Sequence, residues 1–328
     1  MRCTMQFDSH LRLGRWLILW LAAALVWPAH AATMSPKALL AAGDVDKTIQ
    51  TLEQQINSIA DADSYNLLCR AYFMIDEWDH GIPSCERAVK LEPQNSLYHL
   101  WMGRIYGEKA ARAGMFSAAG LAKKVRISFE RAVELDPGSW QARTDLAEFY
   151  LEAPSIVGGG QDKAHAQAEA LLRFNPAMAH WVLGRIAGKN KDITGAEREY
   201  RAAIEASHGT AQNWLHLAQF LAHAKRLDEM ETALRTMESS PLDRPDSLMD
   251  AASLLHHTDR DHSLAVRLLG RYLTSPAEEG PAFKAHELLG QLLEKQGDRR
   301  SAAEQYRAAL SLYHGYTRAQ EDLKRVEH

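Results

Sequence analysis

The chain has 328 residues and a formal net charge of −4. That length holds two ordinary domains or one long repeat array. The mild acidic balance, with no basic stripe, excludes a nucleic-acid binder and a protein drawn to anionic lipid.

Residues 1–31 read as a leader. Arg2, Arg12 and Arg15 make a basic start, and Trp16 to Trp27 (WLILWLAAALVW) is apolar. Ala29-His30-Ala31 then has the small-residue layout of a signal-peptide cleavage site. The apolar stretch is short of the roughly 20 residues a membrane span needs. No Cys follows the cleavage point, so no lipid anchor is expected there. The leader takes three Arg and one Asp with it, leaving the remainder at −6. The expected location is periplasmic or secreted.

A pattern of about 34 residues fills residues 32–315. A partial unit spans Lys37 to Ser58, with Gly43 at its turn. The clearest copy, 62–95, carries Leu68, Cys69, Tyr72, Gly81, Cys85, Ala88 and Pro93. Further units lie at 96–139, 140–176, 177–209, 210–243, 245–277 and 282–315. The spacings recur as Leu183, Gly184, Ala196, Tyr200 and Ala203, and as Leu289, Gly290, Ala302, Tyr306 and Ala309. Apolar residues three and four apart make each half an amphipathic helix. Small residues sit where two helices cross closely, larger ones fill the gap, and Pro ends the second helix. A single hairpin cannot bury its apolar side, so the units must stack.

Cys69 and Cys85 fall on the two helices of one hairpin, opposite each other. Export places them in an oxidising compartment, which predicts a disulfide; the alternative is two small buried thiols. The unit 96–139 is about ten residues long for the pattern. Its extra stretch, Glu108 to Val125, has no Pro and predicts two lengthened helices turning at Gly114. The next unit holds a Gly-rich insertion at 153–161, where Pro154 breaks a helix and Gly158, Gly159 and Gly160 follow. The triglycine lacks the Gly-Lys-Ser/Thr of a phosphate loop and the third spaced Gly of a dinucleotide site. It predicts a shaped loop against a neighbouring unit or a partner. The polar tail, 316–328, reads as a capping helix.

No motif carries catalysis. His286-Glu287 begins like a zinc-protease helix, but Gly290 stands where the second His belongs. His256, His257 and His262 near Asp259 and Asp261 read as a solvated turn. Neither a Gly-x-Ser-x-Gly elbow nor a set of metal ligands is found, so no enzyme activity, metal or cofactor is expected.

The repeat resembles the tetratricopeptide repeat family, over about residues 35–315. The resemblance implies an all-α, right-handed superhelical solenoid of antiparallel hairpins. It also implies a non-enzymatic scaffold that holds a protein or peptide in a groove lined by first helices. Positions 2, 5, 9, 12 and 13 of each unit would face that groove. Here they include Asn66, Arg70, Phe73, Arg104, Glu108, Glu148, Trp181, Arg185, Lys189, Gln219 and His223. Arg70, Arg104 and Arg185 hold equivalent places, which suits bidentate carboxylate recognition. The Lys and Asn set of the family's carboxylate clamp is missing. The alternative function is a ligand- or substrate-capture component of an envelope transport system.

Overall fold

The computed structural model describes residues 34–275 and 280–328; the leader expected over 1–31 lies outside them. Among the described residues every regular element is helical. Eight hairpins follow one another. They are α1 and α2 (Pro36–Ala41, Val45–Ser58), α3 and α4 (Ala62–Met74, Trp78–Leu91), and α5 and α6 (Ser96–Arg112, Met115–Leu135). Next come α7 and α8 (Trp140–Glu152, Gln161–Leu171), α9 and α10 (Pro176–Lys189, Ile193–Ala206), and α11 and α12 (Ala211–His223, Leu227–Glu238). The last are α13 and α14 (Asp246–His257, His262–Thr274) and α15 and α16 (Ala282–Lys295, Arg299–Leu312), followed by α17 (Thr317–Glu327).

Local chemistry sets the turns. At six of them a residue with positive φ ends the first helix: Gly43, Asp76, Lys191, Lys225, Asp259 and Gly297. This left-handed step lets the chain reverse. An Asp often follows as N-cap; the Asp44, Asp192 and Asp298 side chains each accept a backbone N–H of the next helix. Inside the hairpins, Gly103, Gly184 and Gly290 face the rings of Phe129, Tyr200 and Tyr306. A Cβ on Gly290 would lie 2.4 Å from the Tyr306 ring, so only hydrogen fits there. Tyrosines also tie units together: Tyr150 Oη donates to Glu130 (2.8 Å) on the preceding hairpin, and Tyr72 to Glu53 (3.0 Å).

The lengthened pair α5 and α6 turns at Gly114, which caps α6. In the insertion, Ser155–Val157 forms a 3-10 turn packed near α6. All three glycine N–H groups are used internally, by Ser155 O, Pro154 O and Tyr150 O. The three glycines therefore have no free N–H to offer an anion. Its exposed point is Ile156, 91% open to solvent.

Cys69 and Cys85 are joined by a disulfide between α3 and α4, with Cα atoms 5.2 Å apart and both side chains buried. Closing a loop of this length contributes about 3 kcal/mol. Changing both to Ala is expected to lower unfolding free energy by about that amount in denaturant titrations. A loss below about 1 kcal/mol would mean the staple is redundant with the packing around it.

Successive first helices pack against each other: α3 on α5, α7 on α9, α11 on α13, α13 on α15. They therefore line the concave side, and the second helices form the outside. The array also closes on itself, which the sequence reading did not foresee. The turns after α1 and α3 rest on the start of α15 and on the turn between α16 and α17. Gly43 touches Ala282 and Gly280. The His314 backbone N–H and ring Nδ1 both meet Asp46 Oδ2 at 2.7 Å. Lys284 Nζ lies 3.0 Å from Asp76 Oδ2. Beneath these polar contacts Phe283, fully buried, packs with Leu40, Val45 and Ala319 and against the rings of Tyr313 and Tyr316. The expected cap, α17, does bury Ala319, Asp322 and Val326, but the first hairpin shares the task of covering the end.

Candidate functional site

On the concave side the N-terminal halves of α7, α9 and α11 enclose a cavity of about 600 Å³. Trp140, Trp181 and Phe174 give it apolar walls; Asp145, Asn213 and Arg244 are among its polar lining. Each wall follows from the repeat: one helix face contributes to the core and its margin to the cavity. Trp181 packs against the His216 ring at 5.2 Å and under the Arg185 guanidinium at 5.4 Å.

The predicted groove residues divide in two. Glu108 and His223 lie on open surface, with His223 Nδ1 2.7 Å from Gln219 O. Asn66, Arg70 and Trp181 are instead buried, at 0%, 8% and 9% exposure. Residues at their positions serve inter-unit packing here, as the stack of Arg70 over Trp101 (5.2 Å) and of Phe73 edge-on to Trp101 (5.5 Å) shows. Asn66 and Arg70 are thus enclosed, whereas Trp181 also lines the cavity.

Two of the three arginines expected to seize a foreign carboxylate, Arg104 and Arg185, already hold internal ones. Arg104 Nε donates to Asp145 at 2.7 Å across α5 and α7. Arg185 bonds Glu148 and, at 3.2 Å, Glu152; Lys189 reaches Glu152 at 2.6 Å. The two acids respond differently. Enclosure raises the Glu148 carboxyl above its ordinary range despite Arg185, with Asp145 adding repulsion. The Lys189 hydrogen bond holds Glu152 below it. Neighbouring first helices are thus laced by ion pairs, which fixes the cavity's shape and leaves both charge signs on its border.

Asn213 and His216, on α11, are among the cavity residues that spacing alone did not single out. Both are buried, and burial together with Arg244 and Arg185 pushes His216 down to about 3, so its ring is neutral. Among the described residues no group of three His, Cys, Asp or Glu side chains could hold a metal. His262, weighed above as a ligand, faces Asp259 at 3.0 Å. No described helix is long and apolar enough to cross a membrane.

Residues 283–313 match the family model of the tetratricopeptide repeat. No curated protein matches the chain. Among solved structures, the Cut9–Hcn1 tetramer of the APC/C matches at 12% identity, over 88% of this chain, with TM-score 0.40. This chain spans 54% of that one, about half its length. A tetratricopeptide repeat protein from Parabacteroides merdae matches at 17% identity, over 85% of this chain and 100% of its own, with TM-score 0.37. TTC0263, a thermophilic protein from Thermus thermophilus, matches at 20%, over 65% and 99%, with TM-score 0.43. By its own helices and by the matched segment, the described chain is an all-α array of tetratricopeptide-like hairpins.

Proposed function

We propose that this chain is an exported, non-enzymatic scaffold that holds a protein or peptide on its concave side. One observation carries the reading: the cavity between α7, α9 and α11 combines aromatic walls with charges of both signs on a frame already fixed by ion pairs. Such a surface binds without ordering itself first, so less of the contact energy is lost. Export is supported by the leader-like residues 1–31 and fits the Cys69–Cys85 bond. The second reading, capture of a small ligand for transport, is favoured by the cavity's size, which is in the range of small-molecule sites.

The test is photo-crosslinking from Gln141 on the cavity wall, in cells, with an Arg104→Ala, Phe174→Ala, Arg244→Ala variant for comparison. A discrete partner whose yield falls about tenfold in the variant is expected, equal to about 1.4 kcal/mol of binding. Equal yield would move the contact away from the concave side. Recovery of the chain only from the cytosol would reject export.

A further inference from the structure

Residues 109–129 hold five cations, Lys109, Arg112, Lys123, Lys124 and Arg126, and no acid, in a chain whose net charge is −4. That overall charge argued against an anionic surface, but it averages this segment away. Between the two groups of cations, residues 113–122 carry a single polar side chain, Ser117.

The segment stands at the edge of the stack. α5 has 17 residues and α6 has 21, against 13 and 14 in α3 and α4. The start of α4 lies beside the end of α5: Lys109 pairs with Asp79, and the Arg112 guanidinium sits 4.4 Å from the centre of the Trp78 ring. The turn of the preceding hairpin is therefore near this level, and the Gly114 turn with the start of α6 runs past it. An excess of four and seven residues amounts to about 6–10 Å of helix. Ala111, Arg112, Ser117, Ala119 and Lys123 are exposed there. A Cβ on Gly114 or Gly120 would meet nothing within 4 Å, so neither glycine serves close packing. Glu86 and Glu130 partly answer Lys124 (3.6 Å) and Arg126 (3.1 Å). Arg112 and Lys123 have no acid partner among the described residues.

A tip poor in hydrogen-bonding groups, flanked by cations on both sides, matches a lipid surface. An acidic protein would answer the cations but find almost nothing polar to read between them. An anionic bilayer offers both layers at this spacing, with phosphates for Lys and Arg and an acyl boundary about 5–10 Å below. Ten residues are too few to cross it. We infer that the α5–α6 tip docks the chain on an anionic lipid surface, its turn entering the headgroup boundary and its cations pairing with phosphates. The inference is independent of the concave side and its cavity.

The test is vesicle flotation with residues 32–328, because residues 34–328 form a compact unit of their own and the apolar leader would bind lipid by itself. Binding to vesicles of equal parts phosphatidylglycerol and phosphatidylcholine is expected to be at least about tenfold tighter than to phosphatidylcholine alone, and to weaken as salt is added. Arg112→Gln with Lys123→Gln should lose about tenfold or more of it. Ala111→Glu with Ala119→Glu changes only exposed helix positions and should abolish it by repulsion; thermal melting followed by circular dichroism checks that each variant still folds. An environment-sensitive dye on Ser117→Cys, the one free thiol beside the Cys69–Cys85 bond, should shift to the blue on the anionic vesicles. Equal binding to both vesicles, binding to neither, binding unchanged in the folded variants, or no shift of the dye overturns the inference. Binding to poly-glutamate without binding to vesicles also overturns it, and points to an acidic protein instead.

Discussion

Phe283→Ala is expected to cost about 3–5 kcal/mol, the range for deleting a buried aromatic ring. The ring is fully enclosed, yet most of its neighbours belong to distant segments: Leu40 and Val45 at one end of the chain, Tyr313, Tyr316 and Ala319 at the other. Its loss should therefore act at the seam. Hydrogen exchange should show α1 and α2 losing protection together, while α7 to α12 keep theirs, because stacked units feel chiefly their neighbours. A cost under about 1 kcal/mol, or a loss of protection centred on α9 and α10, would contradict the seam as the place where this residue works.

The second large effect is on acid stability. His216 stays neutral in the folded chain down to about pH 3, but titrates near its ordinary 6.5 once unfolded. The folded-state value lies below the unfolded one. Acidification thus adds a proton to the unfolded state first. Stability is full above about pH 6.5 and falls by about 1.4 kcal/mol per pH unit as pH drops from there toward 3, from this residue alone. His216→Phe should flatten that slope. The check is unfolding free energy at several pH values between 7 and 3.5 for both proteins; parallel curves would mean the imidazole is not held neutral.

The hairpins were legible in the sequence because each is specified locally. Gly103 with Phe129, Gly184 with Tyr200 and Gly290 with Tyr306 recur at offsets that only a close helix pair explains. The long unit turning at Gly114 followed from the absence of Pro in 108–125. The inner face was harder. Asn66, Arg70 and Trp181 were assigned to the groove face by repeat position; Asn66 and Arg70 are enclosed and Trp181 is a nearly buried cavity wall, because a position near the margin of a helix face turns inward or outward with small changes in inter-unit rotation. Arg104 and Arg185 gave no sign of being taken, since Asp145 and Glu148 lie about 40 residues away in sequence. Closure had no local signature at all. It is the sum of rotations over eight hairpins, and Phe283 looks like any other apolar residue of its helix.

That closure bears on the order in which the molecule is made. The hairpin of α1 and α2 carries Leu40 and Val45 and is made before α15 to α17, whose Phe283, Ala309 and Ala319 share its core. The middle can settle by short-range contacts, which form quickly. That hairpin must wait with oily side chains uncovered until α15 to α17 follow, so among these helices the earliest made are the last to be finished.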